Sequence, residues 1–140
     1  MNFKTNQLSD RLLDFAVKVI KITDALPNTV AGRHIGGQLI RAGTSCGSNY
    51  EEACGAESRS DFAHKMSIVL KELKESRYWL RLIQRTQMLA PKYTDSALSE
   101  CEQLCAITAK SIITAKRNKN HRNKRVINKL ILSNENCMGS

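Results

Sequence analysis

The sequence predicts an all-α fold, specifically an antiparallel up-down four-helix bundle. Three observations carry that expectation. Apolar residues recur at alternating steps of three and four in four separate stretches, the spacing of a helix with one buried face. Only two prolines and seven glycines interrupt 140 residues, and aromatics are scarce beside abundant Leu, Ile, Ala, Lys, Arg and Glu, a mix that suits helices better than sheets. No stretch alternates apolar and polar residues over the length of a strand, and no solenoid-type repeat is present. The length fits one domain, large enough to bury a core without disulfide or metal staples.

The first helix is expected over residues 8–26, where Leu8, Leu12, Phe15, Ala16, Val19, Ile20 and Leu26 share a face and Pro27 and Asn28 end it, because the residue before a proline is pushed out of helical geometry. The second opens near Thr29 and carries Ile35, Leu39, Ala42, Cys46, Asn49, Ala53 and Ala56 in a heptad seam. Gly32, Gly36, Gly43 and Gly47 line one side of it. Each costs about 1 kcal/mol relative to Ala in a helix interior, so the pattern points to close packing against another helix or another subunit. Gly55 is expected to end the helix.

The third helix opens on Ser58, with Asp61 in its first turn, a capping pattern. Its seam runs through Phe62, Met66, Val69, Leu73, Ser76, Leu80, Ile83 and Gln87, with Glu72 and Glu75 on outer faces. Pro91 marks the turn. The fourth helix starts near residues 94–96, and Leu98, Cys101, Cys105, Thr108, Ile112 and Ala115 set its seam. Residues 1–117 thus form the bundle. Residues 118–140 read as a basic, flexible tail, since KRNKNHRNKR contains no apolar residue and cannot build a core. The following VINKLILS places Val126, Ile127, Leu130 and Ile131 on one face if it winds into a helix.

Charge is distributed unevenly. Of the formal +9, residues 116–140 supply +6, from Lys116, Arg117, Lys119, Arg122, Lys124, Arg125 and Lys129 against Glu135. Arg77, Arg81 and Arg85 form a second basic stripe at steps of four on the third helix. Such groups are candidates for meeting phosphates. No apolar run approaches membrane-spanning length and no secretory signal is visible, so the expectation is a cytoplasmic protein with no membrane partner. Five cysteines without a Cys-x-x-Cys read as small buried side chains rather than a zinc site.

Enzymatic chemistry finds little purchase. The segment AGTSCGSNYEEACGAESRSDF, residues 42–62, lacks the lysine and spacing of a phosphate-binding loop. Di-iron bundles need two Glu-x-x-His motifs, and the sequence has none; Asp61-x-x-His64 is a lone near-match. No cofactor is expected. Asn49, on the seam, needs hydrogen-bond partners and is expected to fix register. Glu51 and Glu52 cannot both face inward, and a carboxylate inside the bundle would pair with Arg41, Arg77 or Arg81.

Residues 26–83 carry Gln38-Leu39-x-Arg41-Ala42, the Ser45–Glu52 stretch with Asn49 and Glu52, Ser58-Arg59-x-Asp61-Phe62, Lys71-Glu72-Leu73-x-Glu75 and Tyr78-Trp79-Leu80. Together these resemble the bacterial family of the 23S rRNA intervening-sequence protein. The resemblance implies a short up-down bundle that assembles as a ring-like homo-pentamer without enzymatic activity. The residues expected to serve helix packing are Gly36, Gly43, Gly47, Asn49 and Glu52. Family members often carry proline near the position of Cys46, which this chain lacks. The expected function is therefore a non-enzymatic oligomer that binds nucleic acid, RNA before DNA, through the basic stripe and tail. The alternative is an adaptor with a protein partner that docks on VINKLIL.

Overall fold

The computed structural model describes the backbone of residues 3–138 and the side chains of residues 7–117 and 124–133. Among the described residues there are helices and no strands: α1 (Phe3–Ala25), α2 (Val30–Cys54), α3 (Arg59–Thr86) and α4 (Asp95–Met138), with a 3-10 turn at Pro91–Tyr93 leading into α4. The helices pack into one bundle, each against its neighbour in chain order, and α1 also touches α4.

Local chemistry sets the helix ends. Thr29 Oγ1 accepts from the Gly32 N–H at 3.0 Å and Ser58 Oγ from the Asp61 N–H at 3.1 Å, each satisfying a donor that the first helical turn leaves free. Cys54 closes α2 and Gly55 follows it. Gln87 does not continue the seam of α3 as expected. It caps the helix in the left-handed region, φ 57°, a conformation that satisfies the last carbonyls. α1 begins at Phe3 rather than near Leu8, because the polar residues ahead of its apolar stripe contain no breaker.

The core is built from Leu12, Phe15 and Val19 of α1, Leu39, Cys46 and Tyr50 of α2, Met66, Val69, Leu73, Leu80 and Ile83 of α3, and Cys101 and Leu104 of α4. Burying one such large side chain contributes about 1.5–3 kcal/mol. Two seams differ from expectation. On α2 the inward position after Cys46 is Tyr50, not Asn49, which is half-buried and turns back on its own helix: Nδ2 donates to the Ser45 carbonyl at 2.9 Å. Among the described residues this hydrogen bond of Asn49 lies within α2, not across the bundle. Glu52 is exposed rather than held in the packing. On α4 Ala97 is buried where Leu98 was expected, with Leu98 half-buried beside the core.

The glycine side of α2 faces α1. A Cβ on Gly43 would lie 2.7 Å from Val19 Cγ2, and one on Gly36 would lie 3.2 Å from Thr23 Cγ2, while Gly47 is looser, 3.7 Å from Leu12 Cβ. The close neighbour that these glycines admit is a helix of the same chain.

The largest departure from the sequence reading lies beyond Lys116. The backbone does not leave the helix there; α4 runs on to Met138. Among the described residues the last buried one on it is Ala115. The break at residue 117 is one of packing, not of secondary structure.

Candidate nucleic-acid interface

The basic segment continues the helix of the body: its lysines and arginines are good helix formers, and no proline or glycine interrupts residues 116–138. From Lys116 to Met138 it extends about 33 Å at 1.5 Å per residue. Lys116, Arg117, Lys124, Arg125 and Lys129 are exposed, and none of them makes an ion pair among the described residues. The side chains of Lys119 and Arg122 lie outside the described residues. At roughly 100° per residue, Val126, Ile127, Leu130 and Ile131 share one side of this extension, Arg125 lies opposite, and Lys124 and Lys129 flank the apolar side on its two edges.

At the base of the extension α4 meets the start of α3. Arg59, Ser60, Ala63, His64 and Ser67 of α3 and Ala115 and Lys116 of α4 line an open cleft of about 270 Å³. Arg59 and Lys116 come to it from two different helices. Arg59 and His64 were legible in the sequence only as neighbours of a cap and as half of a metal motif. Their meeting with Lys116 is a product of tertiary packing and has no local signal.

The α3 stripe is separate. Arg77 is half-buried, whereas Arg81 and Arg85 are exposed. Arg77 lies 17 positions along α3 from Ser60, about 26 Å at the helical rise, so the fold does not bring these arginines to the cleft. Arg77 is instead near enough to Cys101 and Cys105 for its charge to favour their thiolates. The Cys105 thiol is pulled down chiefly by its hydrogen bond with Cys101 and then by Arg77, while Cys101 is pushed up by the same bond and by burial. Burial also pushes the Cys46 thiol up to about 12. These thiols behave as core side chains: Cys46 and Cys101 lie against the carbonyls of Ala42 and Leu73 at 3.2 and 3.1 Å. Among the described residues no group of three His, Cys, Asp or Glu could hold a metal ion, and no helix is long and apolar enough to cross a membrane.

The profile of the 23S rRNA-intervening sequence protein family matches residues 4–110. The chain belongs to that family. Among solved structures it is similar to the crystal structure of a protein of unknown function from the S23 ribosomal protein family of Bacteroides thetaiotaomicron VPI-5482. The two are 33% identical with a TM-score of 0.70, over 75% of this chain and 97% of that one. No curated protein matches.

Within this intervening-sequence protein, several of the residues that carry the sequence resemblance meet along one seam between α2 and α3. Arg41 hydrogen-bonds and ion-pairs with Glu75, and lies 3.3 Å from Glu72. Trp79 Nε1 donates to Glu75 Oε1 at 3.5 Å, and its ring meets His34 and Tyr78 edge-on at 5.9 and 5.0 Å. Arg41 thus pairs with α3 rather than with Glu51 or Glu52 of its own helix. The hydrogen bond from Arg41 holds the Glu75 carboxyl below its ordinary value. The extension from Lys116 lies beyond the matched residues.

Proposed function

We propose that this intervening-sequence protein is a non-enzymatic, self-associating RNA-binding scaffold of the cytoplasm. Its body is an antiparallel up-down four-helix bundle, and its basic extension meets the nucleic-acid backbone. The bundle topology is supported by contacts that run in opposite chain directions: on α1 and α4, Arg11 reaches Glu100 while Lys18 reaches Ser96 at 2.9 Å. The observation that carries the RNA reading is the exposed charge of Lys116, Arg117, Lys124, Arg125 and Lys129, without an ion pair among the described residues, on one continuous helix, with the Arg59–His64–Lys116 cleft at its root. Lysine and arginine in such an array bind phosphates by releasing condensed counterions. The described part of the extension presents no aromatic ring for bases to stack on, so recognition is of backbone rather than sequence. Self-association, with a pentameric ring as the expected form, would present several extensions to one RNA and raise its apparent affinity.

The test is RNA affinity, by fluorescence anisotropy, at a series of salt concentrations. Removing residues 117–140 takes away six Lys/Arg, and the log–log salt slope should fall by up to about 4 for a single-stranded RNA. An unchanged affinity and slope would remove the extension from the interface. A protein adaptor is the second reading, favoured by the exposed Val126, Ile127, Leu130 and Ile131. Partners that survive nuclease treatment in a pull-down would support it.

A further inference from the structure

Two apolar faces of this chain have no cover among the described residues, and they are complementary in charge. On α1, Leu13, Val17 and Ile20 are 63, 44 and 40% exposed and fall at steps of four and three, which puts them on one side of the helix. That side is bordered by carboxylates. Asp10 and Asp14 each stand three residues before one of these apolar side chains, Asp24 four after the last, and all three are exposed beside a single base, Lys21. Glu51 of α2 joins the same border through its hydrogen bond with Ser9. The other bases of α1 with described side chains are engaged elsewhere: Arg11 by Glu100 and Gln103, Lys18 by Ser96. On the α4 extension, Val126, Ile127, Leu130 and Ile131 are each at least half exposed and are bordered by Lys124 and Lys129.

We propose that the apolar face of the α4 extension seats on the Leu13–Val17–Ile20 face of α1 in a second copy of this chain, with Lys124 and Lys129 against Asp10, Asp14 and Asp24. This deepens the self-association part of the proposed function by naming the surfaces that meet. The extension cannot reach its own α1, because α4 is one unbroken helix from Asp95 to Met138, without a proline or glycine at which to reverse. Two extensions do not suit each other: each carries a formal +6 over residues 116–140, and so short an apolar segment is marginal as an isolated coiled coil. The face on α1 offers apolar area and the opposite charge together. Since one surface meets a different surface on the neighbour, the contact is head-to-tail, the kind that closes into rings. Lys116, Arg117 and Arg125, outside the contact, stay free for phosphate, whereas Lys124 and Lys129 of a seated extension are taken from the phosphate-binding set.

The experiment mixes two variants of the full chain, each with Cys54→Ser and Cys137→Ser so that neither adds a background thiol. One carries Val17→Cys and its partner Leu130→Cys. Mild oxidation should give the mixed disulfide-linked dimer, and Asn128→Cys in place of Leu130→Cys should give far less. In parallel, Leu130→Asp should weaken self-association about tenfold or more, as loss of a central interface side chain does, and Lys124→Glu with Lys129→Glu should weaken it until Asp10→Lys and Asp14→Lys are added. Circular dichroism confirms that each variant stays helical. Equal cross-linking at positions 128 and 130 overturns the proposal. So does an oligomer that keeps its mass after Leu130→Asp, although self-association itself would then stand. A full chain that stays monomeric at every concentration removes both. If RNA or anionic vesicles shield Leu130→Cys from a thiol reagent while concentrated protein does not, the face belongs to that ligand and the proposal falls.

Discussion

Along one helix, α4, two stretches can be set side by side. Between Ala97 and Ala115 the inward positions, Cys101, Leu104, Cys105, Thr108 and Ile112, are buried against α3 and the rest of the core. Between Lys124 and Ser133 every residue is exposed. The backbone is helical through both. The first stretch is fixed by what it packs against, the second by being continuous with the first, since extending a helix costs far less than starting one. A change in the first stretch should register in the stability of the isolated chain, and a change in the second in what the chain binds.

That contrast can be broken by measurement. The largest effect is expected in the body: Phe15→Ala, at a fully buried position, should cost about 3–5 kcal/mol in urea unfolding. Next come two glycines of α2. Gly43→Ala drives a methyl against Val19 and should destabilise by about 1 kcal/mol or more, overpacking outweighing the gain in helix propensity. Gly37→Ala meets nothing within 4 Å and should stabilise by about 0.5–1 kcal/mol. If both glycines respond alike, α1 is not closely packed on this side.

A pH series sharpens the α2–α3 seam. The Glu75 carboxyl is held below its ordinary value of 4.5 by Arg41. Its folded value being lower than its unfolded one, the contact adds stability above pH 4.5 and loses it as the pH falls through the folded value. Arg41→Met should therefore lower the unfolding midpoint at pH 7 and have less effect at pH 3. The smallest effect is expected in the extension. Ile127→Asn should leave the stability of the monomeric chain within about 0.5 kcal/mol, and a larger loss would mean that the extension leans on its own body.

The sequence made the body readable because burial leaves a period. Thr29, Ser58 and most of the four seams follow from spacing and capping chemistry alone. Where the period shifts locally, as at Cys46–Tyr50–Ala53, a strict heptad chose Asn49 and missed an aromatic one position on. The helix just beyond Lys116 was hidden for the opposite reason: KRNKNHRNKR has no apolar residue to mark a period, and absence of a core read as absence of structure. The cleft of Arg59, His64 and Lys116 joins residues more than fifty positions apart in the chain, and no local pattern encodes such a meeting. Arg41 was correctly singled out as an ion-pair partner but given the wrong carboxylates, because which helix lies beside α2 is decided by the whole bundle.

The unbroken run of α4 makes its outer end a pointer whose bearing is set by residue count. One residue inserted between Lys116 and Asn123 would swing everything beyond it by about 100° around the axis, and seven would bring it back to within about 20° while moving it roughly 10 Å outward. Homologues that vary the length of this segment would therefore aim the same side chains in different directions, so its spacing carries information that its composition does not.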